Sequence, residues 1–333
     1  MNAMTSTVPR SWMQTFGWLL RREYWENRGG FLWAQLISCG IALFFTVLVA
    51  VIGVIQVRDN IADDAPAGIE DLARYAHNVG AAADGILLTG FSLTGIVLAF
   101  VVFFYALGSL YDDRRDRSAL FWKSLPVSDT QTVLSKAVWA ALLAPVISVV
   151  VGLAFGLLLW IVAGVAMYAS GAPEPAAIFT HAHPLRVFGN ALITLPLGVL
   201  WSLPAVGWLM FCSAWVRSKP FLWAVLLPFL GCLIISIVGA MPGISVPHGT
   251  IWYVVVYRGL MSVIPGTWAP AALQGQFDVG DRQIENPGEV IRMVLEQTTS
   301  WKIYANLDLW IGVAVGVAFI AAAIYLRRWR DEA

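Results

Sequence analysis

Charge is what this chain has least of. Asp, Glu, Lys and Arg together make up 13% of its 333 residues, about half their share in soluble domains. Cysteine is also scarce. The three present, Cys39, Cys212 and Cys232, all fall inside apolar runs and read as small buried hydrophobes rather than disulfide or metal partners. No Gly-Lys dipeptide occurs, so there is no Walker A loop to cradle a nucleotide phosphate, and the chain is not expected to be its own ATPase. No Asp, Glu, Lys, Arg or His stands in the interior of any run long enough to cross a bilayer; Lys136 and Asp308 sit at run ends. That argues against a proton- or ion-coupled carrier, which stores its coupling in such a residue. It argues equally against an intramembrane hydrolase, which needs a buried nucleophile with a base. His181-x-His183 is the nearest approach to a metal motif, but no Cys or carboxylate stands at ligand spacing, so these read as ordinary loop residues. No metal or cofactor is expected on this chain, and nothing points to nucleic acid.

Apolar residues, by contrast, make up 59% of the chain, and its mean hydropathy is +0.72. The apolar runs predict an all-α integral membrane protein, with one transmembrane domain over residues 1–333 and spans at 31–55, 86–109, 137–168, 187–212, 221–240 and 307–326. Before the first span, residues 11–29 open on a capping-box spacing, Ser11 with Gln14. Trp12, Phe16, Leu19 and Leu20 then recur at helical intervals while Arg21, Arg22 and Glu26 take other positions. This predicts a helix lying in the interface with its apolar side down. The pattern is not that of a secretory signal, so the first span is expected to be a retained anchor.

Pro145 should kink the third span, and Pro196 and Pro204 fall in the fourth and Pro228 in the fifth. Trp201, Trp208 and Trp215 recur by sevens, a stripe for packing or lipid contact, with a path for an apolar substrate as the alternative. Gly152-x-x-x-Gly156 and Gly312-x-x-x-Gly316 permit close helix approach, within the chain or between two copies. Asn190 and Gln35 are the polar side chains nearest to span interiors, suited to interhelical hydrogen bonds or to substrate. The long connection 241–306 holds an apolar piece, Thr250 to Ile264, too short to cross upright and carrying Arg258. It is expected to be re-entrant or interfacial, with an amphipathic helix near Glu289 to Tyr304 after it.

Charge asymmetry orients the chain. With both termini, residues 111–136 and residues 213–220 in the cytoplasm, those segments carry 14 of the 21 Lys and Arg, about three times the density of the outer loops.

The stretch Leu110 to Lys136 is a polar island between two apolar runs. Alternating charges from Asp112 to Arg117 lead to Phe121 and Trp122, then Lys123, a Ser-Leu-Pro-Val-Ser turn, and a second capping-box spacing, Ser128 with Gln131. Leu120, Phe121 and Leu125 can face one way, Arg117 and Lys123 another. Such a piece suits docking on a partner at the membrane surface. A positively charged topology anchor built on Arg114, Arg115 and Lys123 is the alternative.

The run DRSALFWKSLPVSDTQTVLSK resembles the first cytoplasmic loop of ATP-binding-cassette (ABC) exporter permeases of the second, six-span class. Arg21 to Phe31 (RREYWENRGGF) resembles the approach to their first span, and Leu307 to Arg330 their last span with its basic tail. The quoted stretches cover about a fifth of the chain. The resemblance implies a coupling helix at Arg117, Leu120, Phe121, Trp122, Lys123 and Leu125, and an interface helix carrying Arg21, Arg22, Glu23 and Glu26. It also implies an outer gate at Trp252, Tyr253 and Arg258, with Arg258 at its wet rim. It further implies a second copy of the permease, two ATPase subunits that use ATP and Mg, and a place in the cytoplasmic membrane among its lipids. The expected function is export of an amphipathic or hydrophobic cargo. An ion or peptide-antibiotic extruder of the same family, and a non-transporting scaffold that relays ATPase motion to an outer partner, remain the alternatives.

Overall fold

The computed structural model describes residues 12–60, 69–116, 127–242, 246–269 and 301–330, and among them no strand occurs. Six helices are long and apolar enough to cross a membrane. The first is α1 (Trp12–Arg28), which continues through a π-turn at Gly29–Trp33 into α2 (Ala34–Asn60). The second, α3 (Ile69–Gly108), is followed by the short α4 (Tyr111–Arg115). The third comprises α5 (Asp129–Val138), a π-turn at Trp139–Leu143, and α6 (Ala144–Ser170). A single turn, α7 (Ala177–Thr180), precedes the fourth, α8 (Pro184–Trp215). The fifth is α9 (Leu227–Gly239), entered through a π-turn at Leu222–Leu226. The sixth is α11 (Leu307–Arg330), and between these two lies α10 (His248–Trp252), prolonged by a π-turn at Tyr253–Arg258.

Several helices outrun the bilayer. With 40 residues, α3 is about 60 Å long, twice the hydrocarbon thickness of about 30 Å. The acidic stretch Glu70 to Asp84, which falls between the expected first and second spans, is therefore a helical continuation of the second span. Asp84 is buried there: its carboxylate accepts from the His183 amide at 2.7 Å and lies 3.2 Å from His183 Nδ1, which fixes the start of α8. Asp84 thus serves α8 as a cap borrowed from another helix.

Glycine sets the closest contacts. Gly90 of α3 faces Gly152 and Gly156 of α6, where a Cβ on any of the three would meet backbone. Gly207 of α8 faces Gly316 of α11 in the same way. Both small-residue motifs are thus used within the chain. The central core joins Phe31, Val102, Trp139, Met210 and Ile320, from five of the spans. Trp201 is buried and Trp208 packs on this core, whereas Trp215 is exposed. The stripe by sevens therefore runs from the interior to a surface. Gln35 is wholly buried; its amide donates to Phe31 O in its own helix, not across helices, and its Oε1 has no partner among the described residues.

Candidate functional site

The capping box at the head of α5 forms as its spacing predicts. Ser128 Oγ accepts from the Gln131 amide and Gln131 Oε1 accepts from the Ser128 amide, both at 3.2 Å. This cap fixes where the third span begins and presents Asp129 and Lys136 at that end of the bundle.

Around it lies a buried ionic network drawn from four separate stretches of sequence. Glu23 of α1, with no exposed surface, has Lys136 Nζ at 3.6 Å and Arg22 at 3.0 Å. The Tyr105 hydroxyl of α3 donates to its other oxygen at 2.6 Å. Lys136 also reaches Asp113 of α4 at 3.5 Å. Arg327, at the end of α11, spans Asp113 at 3.3 Å and Asp129 of α5 at 3.1 Å. Three acids (Glu23, Asp113, Asp129) thus face three bases (Arg22, Lys136, Arg327), and buried charge is tolerated here because it is paired and hydrogen-bonded. Tyr24, Phe31, Tyr105 and Trp139 pack edge to face next to it, with centroids 5.2 to 5.9 Å apart. The π-turns at Gly29–Trp33 and Trp139–Leu143 supply two of these rings.

Arg114 anchors α4 to the fourth span. Its guanidinium donates to the carbonyls of Ala214 at 2.5 Å, Val216 at 3.0 Å, and Ser213, the orphan acceptors at the C-terminal end of α8. Ser213 Oγ in turn accepts from the Leu110 and Tyr111 amides at 3.0 and 2.9 Å. Arg114 is thus a structural tie, and of the two arginines of α4 only Arg115 is exposed, beside Asp112 and Asp116.

Arg117, Leu120, Phe121, Trp122, Lys123 and Leu125 lie outside the described residues. Both flanks of that segment are held: α4 by Asp113 and Arg114, α5 by its cap and Asp129. Of the N-terminal helix residues, Arg22 pairs with Glu23 and with Glu26 at 3.2 Å. Arg21 turns outward over Trp18. Of the apolar residues of α1, Leu19 is buried beside Glu23 where α1 packs on α5, Phe16 and Leu20 are half-buried, and Trp12 is exposed.

At the other end, the expected gate residues are brought together, with one correction. Arg258 does not sit at a wet rim; it is buried. Its guanidinium lies 3.6 Å over the Trp201 ring, its Nε is 3.3 Å from Asp308 Oδ2, and it donates to the carbonyls of Trp201 and Asp308 at 3.2 and 3.1 Å. The charge is satisfied inside because Asp308 and two carbonyls offer acceptors and the indole offers a π face. Tyr253 donates to Asp308 at 2.8 Å, and Trp252 Nε1 to Ser236 Oγ of the fifth span at 2.7 Å. Just beyond, Leu260 enters the central core and Pro265 packs on Gly95 of α3. This piece turns back into the bundle rather than crossing it. The amphipathic helix expected near Glu289 to Tyr304 falls almost wholly outside the described residues; Trp301–Ala305 is a 3-10 turn.

The sequence pattern left Lys136 and Asp308 as span ends and Arg327 as part of a basic tail, and gave Tyr105, Asp113 and Asp129 no individual role. The available signal was that each of the five charged residues stands within eight positions of an expected span boundary, where an unpaired charge has a reason to find a partner. Among the described residues, no group of three or more His, Cys, Asp or Glu is placed to hold a metal ion. Compared with known protein families, curated proteins and solved structures, the chain matches none.

Proposed function

We propose that this chain is the membrane subunit of an ATP-driven exporter, with residues 117–126 as the element that receives the push of a separate ATPase. The observation that supports this reading is the way the segment is mounted. Its two flanks are clamped by one buried network that also includes α1 and α11, while Arg114 ties the same mount to α8. A displacement passed to those flanks reaches the first, second, third and sixth spans through paired charges and the fourth through the Arg114 hydrogen bonds. A topology anchor needs cations at the surface, not a mount of this kind.

In this reading both termini are cytoplasmic, the membrane is the cytoplasmic one, and two copies of the chain pair around the cargo path. ATP and Mg are handled by the partner. The buried Arg258–Asp308 pair holds the re-entrant piece as the outer gate. An amphipathic or hydrophobic cargo fits helices whose stretches 31–55, 86–109 and 137–168 hold no Asp, Glu, Lys, Arg or His. Purification of the tagged chain from its native membrane tests the reading. A co-purifying chain with a Gly-Lys phosphate loop, and ATP hydrolysis by the complex, is the expected result. Preparations that hold no such chain and hydrolyse no ATP would overturn it.

A further inference from the structure

The outward face of α1 carries a repeat that the ionic network does not use. Trp18, Arg21, Trp25 and Arg28 are all exposed. Each ring and each arginine recurs after seven residues, which is two helical turns, so the four form one stripe. The Arg21 guanidinium stands 5.6 Å over the Trp18 ring and that of Arg28 5.0 Å over Trp25. The other charges of the helix are already matched, Arg22 with Glu23 and Glu26. Among the described residues, Arg21 and Arg28 have no carboxylate partner. Stacking occupies a face of each guanidinium and leaves its N–H edge available, the edge that binds phosphate in bidentate fashion.

The placement of α1 selects the source of that phosphate. α1 meets α5 through Trp12 O, which accepts from Gln131 Nε2 at 3.4 Å, and through Glu23, 3.6 Å from Lys136 Nζ, and the stripe is on the face that stays exposed. Five residues after Arg28 the first span is under way, which keeps the stripe close to the membrane surface. Tryptophan favours headgroup depth, and arginine is drawn to an anionic leaflet.

We propose that this stripe binds anionic phospholipid, with Arg21 and Arg28 gripping headgroup phosphates and Trp18 and Trp25 seated among the headgroups. The site holds α1 against the membrane, and through Glu23 it steadies the ionic network. It does not depend on the presence of an ATPase.

The test uses the full chain in nanodiscs of phosphatidylcholine doped with phosphatidylglycerol, with lipids retained per chain counted by native mass spectrometry. Wild type should retain phosphatidylglycerol over phosphatidylcholine. Arg21→Gln with Arg28→Gln should weaken that retention about thirtyfold, while Arg115→Gln, an exposed arginine at the same end of the bundle, leaves it within about twofold. If the glutamine pair fails to fold, Arg21→Lys with Arg28→Lys keeps the charge and should keep most of the retention. Inorganic phosphate added to the discs should not displace the lipid. Equal retention of the two lipids, a glutamine pair that behaves as wild type, or displacement by inorganic phosphate would each overturn the proposal. So would loss of a bound protein with lipid retention unchanged, which would give the face to a protein partner.

Discussion

Glu23 has no exposed surface and touches groups from α1, α3 and α5, so its worth depends on partners that lie far apart in sequence. Lys136→Met would leave Glu23 and Asp113 short of a cation in a buried place, at a cost of about 3–5 kcal/mol. The solubilised protein should unfold at a clearly lower temperature, and adding Glu23→Gln should restore most of the loss by removing the stranded charge. A double variant no more stable than Lys136→Met would show that the pair is not coupled. This residue was only half legible. Leu19 and Glu23 are four apart, so an acid on the apolar stripe of α1 was visible. The partner, 113 positions later, was not, because helical periodicity reports which side of a helix is apolar and says nothing of what that side meets. Arg258 misled for a related reason: as the charge in an apolar piece it was assigned to water, when Asp308 and the Trp201 face were waiting inside.

Among the elements, the spans were legible because each is a long apolar run, and the cap of α5 because Ser128 and Gln131 are local partners. The lengths of the helices were not. Acidic and small residues from Glu70 to Asp84 read as loop by composition, yet Gly80 packs against His181 and Asp84 caps α8, contacts that keep the helix going. The re-entrant piece is held chiefly by its polar ties, since only Val256, Arg258, Leu260 and Ser262 of residues 250–264 are buried. Asp308→Asn would leave Arg258 buried without its carboxylate. Hydrogen exchange over residues 248–264 should then quicken about tenfold or more, while exchange in α6 stays as it was. Unchanged exchange in the piece would mean that Trp252, Ser236 and the core contact of Leu260 hold it unaided.

For the whole molecule, α1, α4, α5, residues 213–216 and the end of α11 meet at one end of the bundle. The sequence-based count of Lys and Arg assigns that end to the cytoplasm. Cys39, Cys212 and Cys232 are buried and free, so single cysteines at exposed positions can report sidedness. Ala176→Cys should react with an impermeant thiol reagent outside intact cells and Ser218→Cys should not; the reverse pattern would invert the arrangement.

The claim on which the account turns is that residues 117–126 dock an ATPase rather than merely anchor a loop. Aromatic anchors at such a contact are worth about 2 kcal/mol or more, a loss of docking of about thirtyfold when they are removed. The most direct measurement is the amount of ATPase that co-purifies with Phe121→Ala plus Trp122→Ala, set against Arg115→Gln, both inserted normally in the membrane. The account predicts that the aromatic pair loses the ATPase and the arginine variant keeps it. Full retention by the aromatic pair, with loss confined to the arginine variant, would contradict it.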